Sequence, residues 1–408
     1  MSALVITAAG VVCGAGNLDG LWESCLQSRH HLESLEDGTE DRPPRLVSRV
    51  RENLEGLFPR RVEPGASRHS RLAARALIDC LADDQGAESP AGLVFCSAAQ
   101  GQDLAERVWP TLRTTDVRDM DQEGLRTLTN SGAAQLLAAR FSCAGFVQSV
   151  DGASAAGMLS LQAAALALHA GLARQVMVVS GEANLYDASL AFYEKKILLG
   201  GATHTFFGRR KDPRPRELDQ AIVPFGSLEH SDRGALGEAG VALCLETLAS
   251  AHDRGARILA HLSDVRTHFH TEGYHGTDRA FAGLAKVLEP FQGQSLDSLH
   301  LPICGSWVLD HGPILAASRL FPGCHAHSPE PLVGHAGAAS SLLNLALAVR
   351  ALQHRVLLPT RGLNANGMDP DCTLTPSTLS LDAPEIRRVG VVSCGWGGWN
   401  AAAVLERA

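Results

Sequence analysis

Residues 149–161 read SVDGASAAGMLSL, and the rest of the fold can be worked out from the turn at the centre of this stretch. The residues before the turn predict a buried strand, and the Ala/Leu-rich residues after it predict a helix. Ser154 therefore lies at a helix N-terminus, where the macrodipole and free N–H groups favour negative charge. That setting would activate a cysteine strongly, whereas a serine needs an adjacent base to become a nucleophile. Ser154 is also an ordinary helix N-cap residue, and the local sequence alone favours that second role.

Outward from this turn, apolar runs of strand length alternate with helical stretches, which is the pattern of an α/β fold. Each half of the chain opens with a strand and ends in a strand pair, with a seam near residues 247–257. We therefore predict two similar halves, residues 1–250 and 251–408, in one compact body. Proline and charge content predict loops at 36–45 and 206–220. The predicted buried strands are 3–12, 91–98, 145–152, 175–182, 241–248, 257–265, 298–305, 389–395 and 400–407.

The composition argues against several functional classes. The chain has 408 residues, 45% of them hydrophobic, and a net charge of −8, so it has no basic excess that would indicate nucleic acid binding. Its apolar runs are shorter than the ~20 residues that a membrane span needs, and the start MSALVITAAGVV predicts a first strand and not a signal peptide. The ten cysteines stand singly without a CxxC pair. This pattern predicts reduced thiols, a cytoplasmic protein and no metal site.

Three further stretches carry residues with catalytic potential. The stretch PLVGHAGAASSLLNLA places His335 among small residues at a predicted helix start, although a lone histidine is more often structural. The stretch PICGSWVLDHGPILAASRL brings Cys304 from a strand into a glycine turn. The stretch SCGWGGWNAAAVLE contains a strand, a glycine-rich turn with Trp396 and Trp399, and a last strand. This turn lacks the spacing and the following helix that a phosphate-binding loop requires.

These elements, in this order, resemble the β-ketoacyl synthases of the thiolase fold over essentially the full length of the chain. VITAAGVVCGAGNLDGLWESCLQSR is similar to the family's opening strand, turn and helix, and NSGAAQLLAARF to its NxxAGxIS helix. DRGALGEAGVALCLETL resembles DGFVxGEGAGxLVLE, and LLPTRGLNANGMDPDC resembles IPPTxNLxxPDPxC. The last stretch resembles SFGFGGxNAxxVLE. The resemblance implies an α/β fold in which two pseudo-duplicated halves form a five-layer αβαβα sandwich.

The departures from the family pattern bear on activity. The family's condensing enzymes use a cysteine that takes the acyl chain as a thioester, and two histidines that stabilise the enolate formed by malonyl decarboxylation. By resemblance, Ser154 stands at the cysteine, Cys304 at the first histidine and His335 at the second. Glu330 takes the place of an upstream lysine, and Trp396 that of a smaller gating phenylalanine. Losing one of two oxyanion donors costs about 10²–10³ in rate, and a serine has almost no anion at pH 7. We therefore expect no decarboxylative condensation.

Two functional hypotheses remain, and they leave open whether the chain is itself an enzyme. In the first, it resembles the chain-length factors of type II polyketide, aryl-polyene or fatty-acid-like synthases, and Ser154, Cys304 and His335 are vestigial. Such a subunit would pair with an active ketosynthase as a heterodimer, or with itself, and Trp396 and Trp399 would line a filled substrate site. In the second, Ser154 accepts an acyl group with His335 as base, as an acyltransferase or thioesterase acting on acyl carrier protein thioesters. Cys304 is a further candidate nucleophile with the same base.

Both hypotheses imply the same carrier and no cofactor held by the chain itself. The resemblance implies that an acyl carrier protein, which is acidic in this family, delivers the substrate on its phosphopantetheine arm. The basic run with Arg209, Arg210 and Lys211 predicts a surface for the carrier or for the partner subunit, although most charge runs are simply solvated surface. A hydrolase or binding module unrelated to this family would require six ordered matches to be coincidence, and observing the thiolase fold would exclude it.

Overall fold

A computed structural model describes residues 2–35, 45–84, 90–106, 122–194, 197, 222–231, 233–272 and 281–408. The predicted loop 206–220 lies outside the described residues, as does most of the predicted loop 36–45. The prediction for Arg45 is wrong, because this residue begins a strand in which it pairs with Leu35.

The described residues form sixteen strands, β1 to β16 in chain order. Their bounds are Leu4–Cys13, Gly16–Asn17, Glu33–Leu35, Arg45–Ser48, Gly92–Cys96, Phe146–Ser149, Gln175–Ala183, Leu236–Thr247, Ala260–Phe269, Ser298–His300, His325–His327, Val356–Leu357, Thr375–Pro376, Leu381–Asp382, Arg388–Cys394 and Trp399–Arg407.

The α-helices of the same residues are numbered α1 to α11. Their bounds are Leu18–Leu26, Arg68–Asp83, Gln122–Arg126, Asn130–Arg140, Ala156–His169, Asp187–Tyr193, Leu248–Asp253, Ala282–Leu288, Trp307–Leu320, Glu330–Val333 and Gly337–His354. Short 3-10 helices occur at Glu63–Gly65, Ala153–Ala155, Glu289–Phe291 and Ala365–Gly367. Within the described part of the chain, none of the helices combines the length and the apolar composition that crossing a bilayer requires.

The main strands repeat one topology in the two parts of the chain. The first run has the order β6-β5-β7-β8-β1 and the second the order β11-β10-β15-β16-β9, so both place their five strands in the same sequence. The directions also agree, because the first two pairs of each run are parallel and the last two antiparallel. A short antiparallel ladder between Leu4–Ile6 and Ala260–Leu262 connects the two runs. This repeat fits the predicted pseudo-duplication, while the division at residue 250 stays a prediction.

Helices cover the strands in layers. On one side, α2 and α4 contact β1, β5, β7 and β8, and on the opposite side α8 contacts β9 and β16. Between the two runs lie α5 and α11, each of which contacts strands of both. Helix α11 is buried along almost its whole length, as expected of a helix with apolar and small residues on every side. The predicted α/β class and five-layer arrangement are confirmed.

The strand predictions differ from the structure mainly in length. The strand predicted at 298–305 ends at His300, so Cys304 lies in an irregular segment before α9 and not at a strand end. The strand predicted at 145–152 covers only Phe146–Ser149. The turn that follows it carries Ser154, and the segment before α11 carries His335, so the central helix layer brings these two residues together.

Candidate active site

Ser154, His335 and Glu330 form a continuous hydrogen-bonded chain between α5 and α11. The Oγ of Ser154 lies 3.0 Å from Nε2 of His335. On the other side of the ring, Nδ1 lies 3.1 Å from each carboxylate oxygen of Glu330. His335 and Glu330 are buried. A hydroxyl, an imidazole and a carboxylate in this order and at these distances are the arrangement of a nucleophile, a general base and the group that orients the base.

The backbone around Ser154 turns its hydroxyl towards the histidine. Ser154 lies in the 3-10 turn Ala153–Ala155, and Ala153 adopts the left-handed conformation with φ of 50°. The carbonyl oxygen of Ser154 accepts a hydrogen bond of 3.1 Å from the hydroxyl of Ser393, which anchors the turn to β15. The N-cap of α5 is Ala155, so the alternative role of Ser154 as the cap of this helix is wrong.

Backbone hydrogen bonds hold His335 against the beginning of β8. The N–H of His335 donates to the carbonyl oxygen of Ala235 at 2.7 Å, and its carbonyl oxygen accepts from the N–H of Gly237 at 2.9 Å. Between Glu330 and His335 the chain passes through the short helix α10 and Gly334, which has φ of 73°. The left-handed turn at Gly334 lets the carboxylate fold back onto the ring, since a residue with a side chain would be strained there.

Electrostatics at the site favour a protonated imidazole once a proton has been accepted. Burial lowers the pKa of His335, but the neighbouring carboxyl groups, with Glu330 foremost, together outweigh burial and the pKa is raised above its usual value. Glu182 and Asp310 add to this effect. Burial raises the pKa of Glu182, whose carboxylate accepts hydrogen bonds from the backbone of Ala98 at 2.7 Å, among others. The imidazolium that a general base becomes during catalysis is therefore stabilised.

Cys304 lies near this chain but takes no part in it. Its Sγ lies 3.3 Å from Oδ1 of Asp310, and its backbone N–H donates to the same oxygen at 2.9 Å. Burial, Asp310 and Glu330 together raise the pKa of the thiol well above its usual range. Burial also raises the pKa of Asp310 to about 7. A thiol that stays protonated is a weak nucleophile, so this environment does not suit Cys304 to that role.

The two tryptophans occupy different surroundings. Trp396 is 39% exposed and stands edge-on to Phe192, with ring centroids 6.2 Å apart. The ring of Trp399 packs on Phe269 with centroids 5.1 Å apart. Trp396 is thus half-exposed, and the expectation that both rings line one substrate site stays a prediction. The predicted carrier surface, Arg209, Arg210 and Lys211, lies outside the described residues.

The sequence motifs did not identify every residue of the site. The resemblance identified Glu330 only as the residue at the place of a lysine, and Tyr193 belongs to none of the motifs. Tyr193 stands edge-on to His335 with ring centroids 6.0 Å apart. The only sequence feature that could have indicated the role of Glu330 is its position five residues before His335.

Two clusters of metal-ligating residue types occur elsewhere among the described residues, and both are explained by internal pairing. In the first, Asp84 and Glu246 each pair with Arg254 beside Cys244. In the second, Asp369 lies 2.8 Å from Nδ1 of His311, with Asp371 nearby.

Comparison with known proteins shows what the chain is similar to. No protein-family model matches the chain. A protein of Streptomyces coelicolor named for the actinorhodin polyketide β-ketoacyl synthase is 31% identical over 211 residues, which are 49% of this chain and 44% of the relative. The matched region thus spans about half the length of that relative.

Solved ketosynthase structures match the whole chain in fold. A type II polyketide ketosynthase in complex with its acyl-carrier protein has a TM-score of 0.79 at 19% identity, and each chain is covered completely. The ishigamide ketosynthase/chain length factor also has a TM-score of 0.79, at 18% identity, covering 100% of this chain and 99% of that one. The chain is therefore similar to a polyketide β-ketoacyl synthase over about half of its length, and it has the thiolase-like fold of the solved ketosynthases.

Proposed function

We propose that this chain transfers or hydrolyses acyl groups carried as thioesters, with Ser154 as the nucleophile. The observation that carries the proposal is the chain from Ser154 through His335 to Glu330, with distances of 3.0 and 3.1 Å. Burying a carboxylate costs free energy unless the charge is paired. A vestigial site would gain nothing from keeping a buried carboxylate that is hydrogen-bonded to its histidine. The ketosynthase relatives support thioesters as the substrate class.

The reaction follows from the three side chains. The Oγ of Ser154 attacks the thioester carbonyl carbon while its proton passes to Nε2 of His335. The Oγ–C bond forms, the C–S bond breaks, and the leaving sulfur takes the proton from Nε2. In the second half, water or an acceptor hydroxyl gives its proton to the same nitrogen and attacks the ester, which releases the acyl group and restores the serine hydroxyl. Glu330 stabilises the imidazolium in both halves.

The same residues do not suit decarboxylative condensation. Cys304 stands where the resemblance places the first histidine, and it offers no imidazole to a developing enolate. The carboxylates of Glu330 and Glu182 lie around His335, so a malonyl carboxylate would be repelled by like charge. Substrates with a neutral acyl group therefore fit the site better than malonyl thioesters.

The test is acylation of the purified chain by an acyl carrier protein loaded with a neutral acyl group. Intact mass should increase by the acyl group in the wild type and not in Ser154→Ala. Ser149→Ala, five residues earlier on β6, removes a serine hydroxyl outside the chain of hydrogen bonds and should behave like the wild type. An equal adduct in Ser154→Ala, or a wild type that neither carries an adduct nor releases the acyl group from the carrier faster than Ser154→Ala does, would overturn the proposal.

A second candidate function is that of a subunit that pairs with a ketosynthase or with a second copy of itself. Its support is the strand β6, which is the last strand of its run and pairs with β5. Val147 and Gln148 on this strand are exposed. The solved relative described as a ketosynthase/chain length factor supports a pairing of this kind. Pairing and acyl transfer by Ser154 are compatible, and each has its own test.

A further inference from the structure

Glu182 joins two segments of the protein through hydrogen bonds that the mechanism above does not use. It lies on β7 and is completely buried. Its Oε1 accepts from the N–H of Ala99 at 2.7 Å and from the hydroxyl of Ser97 at 3.2 Å. Its Oε2 accepts from the N–H of Ala98 at 2.7 Å and from that of Ala338 at 3.0 Å. These donors favour the ionised carboxylate and oppose the rise in pKa that burial causes.

The bond to Ala338 ties this carboxylate to the segment that carries the base. Ala338 is the second residue of α11 and follows His335 by three positions. Gly337, the first residue of the helix, approaches so closely that a Cβ on it would lie 2.6 Å from Oε2 of Glu182. Helix α11 therefore begins directly against the carboxylate, and Glu182 fixes the backbone next to His335 from the side of β7.

The opposite end of the connection reaches the turn of the nucleophile. Asn130 is buried at the start of α4, and its side-chain amide carries two hydrogens. One is donated to the carbonyl oxygen of Ser97 at 2.9 Å, and the other to the carboxylate of Asp151. Asp151 precedes Ser154 by three positions. A supporting network thus joins the turn of Ser154 to the start of α11, and its members are Asp151, Asn130, Ser97, Glu182 and Ala338.

We propose that Asn130 and Glu182 are positioning residues, which hold the turn of Ser154 and the start of α11 at the spacing that the hydrogen bond between Ser154 and His335 requires. The inference rests on the proposed function of Ser154. A hydrogen bond between side chains on two separate elements lasts only while both backbones keep their places, and reacting groups need this support from the residues behind them.

The first test is Asn130→Ala, which cuts the supporting network and leaves every charge in place. The N-cap of α4 is Thr129, so the helix keeps its cap. The single-turnover acylation rate should fall about 10–10²-fold, because a displacement of about 1 Å at a reacting group costs up to about 10²-fold. The half-saturating carrier concentration and the pH midpoint should not change. Gln135→Ala, at an exposed position of the same helix, should match the wild type in all three.

The second test is Glu182→Gln, which removes the charge and half of the acceptors. A glutamine has one oxygen, so its NH₂ group would face donors that have lost their acceptor. The rate should fall about 10–10²-fold. The pH midpoint should also move downwards, because Glu330, Glu182 and Asp310 raise the pKa of the His335 imidazole against burial.

Glu246→Gln is the matched control for the second test. Glu246 is also completely buried, and it lies at the opposite end of the pair formed by β7 and β8, about 23 Å from Glu182. The variant should lower the temperature of thermal unfolding but leave the rate and pH midpoint of the folded protein unchanged. A purely structural role of Glu182 would give the same result in Glu182→Gln, and would overturn the inference.

A crystal structure of Asn130→Ala keeps this inference separate from the proposed function. The distance between Oγ of Ser154 and Nε2 of His335 should lengthen from 3.0 Å to beyond hydrogen-bond range, whether or not the protein takes an acyl group. An unchanged distance, or acylation of folded Asn130→Ala at the wild-type rate, would overturn the inference. If Asn130→Ala does not fold, Glu182→Gln is put through the same two measurements. A wild type that neither takes nor releases the acyl group would overturn the proposed function alone.

Discussion

Glu330 gives the site its distinct chemistry, because it stands where the resemblance places a lysine. A carboxylate facing Nδ1 at 3.1 Å orients the imidazole and raises the pKa of His335 against the effect of burial. A lysine at the same position would repel the imidazolium and could not accept from Nδ1–H. Under the proposed function, this exchange of charge suits His335 to accepting a proton from Ser154.

At the residue scale we therefore predict a specific pH effect of Glu330→Gln. Acylation requires neutral His335, so the wild-type rate should rise with pH through a midpoint above the ordinary value of ~6.5. Removing the carboxylate lowers the pKa of His335, so the midpoint should move to lower pH. The plateau rate should fall about 10²–10⁴-fold, because the ring loses its orientation.

The measurement is single-turnover acylation from pH 5 to 9. Glu289→Gln, a change at a surface carboxylate paired with Lys286, is the control and should leave the profile unchanged. A midpoint in Glu330→Gln at or above that of the wild type would contradict the role given to this carboxylate.

At the scale of elements, the site depends on the close approach of two turns. A Cβ on Gly395, after β15, would lie 2.4 Å from the carbonyl oxygen of Gly152 and 3.0 Å from the Cβ of Ala155. Both neighbours flank Ser154, so a side chain at position 395 has to push the nucleophile's turn away. The position requires glycine because of this approach, and its backbone is not left-handed.

Gly395→Ala should therefore reduce acylation strongly while the protein stays folded. A displacement of about 1 Å at a reacting group costs about 10²-fold in rate, and overpacking costs about 1–3 kcal/mol of stability. Gly293→Ala, where a Cβ meets nothing within 4 Å, is the control. Acylation rate and thermal unfolding are measured together. A Gly395→Ala protein with the wild-type rate would show that the two turns are not coupled.

At the scale of the whole molecule, β6 offers an edge for association. Among the described residues its pairing is with β5, which leaves the other edge of the strand to a partner. Val147 on this strand is 36% exposed, and burying it in a paired interface would favour association. We expect the wild type to form a dimer, either with itself or with a co-expressed ketosynthase.

The expected dimer can be weakened by one charge. Val147→Asp should shift the protein to a monomer in light scattering, because an unpaired carboxylate in an interface is costly. Leu379→Asp places the same charge at a leucine that is 70% exposed in the other half of the chain, and should leave the mass unchanged. A wild-type monomer that also fails to bind a ketosynthase, or a Val147→Asp protein that still dimerises, would rule out this edge as the interface.

The extent to which the sequence predicts this molecule depends on the range of the interactions involved. Local patterns located the strands and the helix after Ser154, because periodicity and small residues act over a few positions. The resemblance supplied the topology and the positions of Ser154 and His335. The position of Glu330 against the ring depends on the turn at Gly334, and that of Tyr193 beside His335 depends on how α6 packs, 39 residues along the chain from Ser154. No local pattern reports such contacts.

The central claim is that Ser154 is an activated nucleophile, and its most direct test needs no knowledge of the natural substrate. A fluorophosphonate reacts with an activated serine: the Oγ–P bond forms, fluoride leaves, and the serine proton is lost through the base. Peptide mapping after this treatment should find the phosphonyl group on Ser154 in the wild type, with labelling much slower in His335→Gln. Labelling of another residue, or a wild-type Ser154 no more reactive than in His335→Gln, would contradict the account.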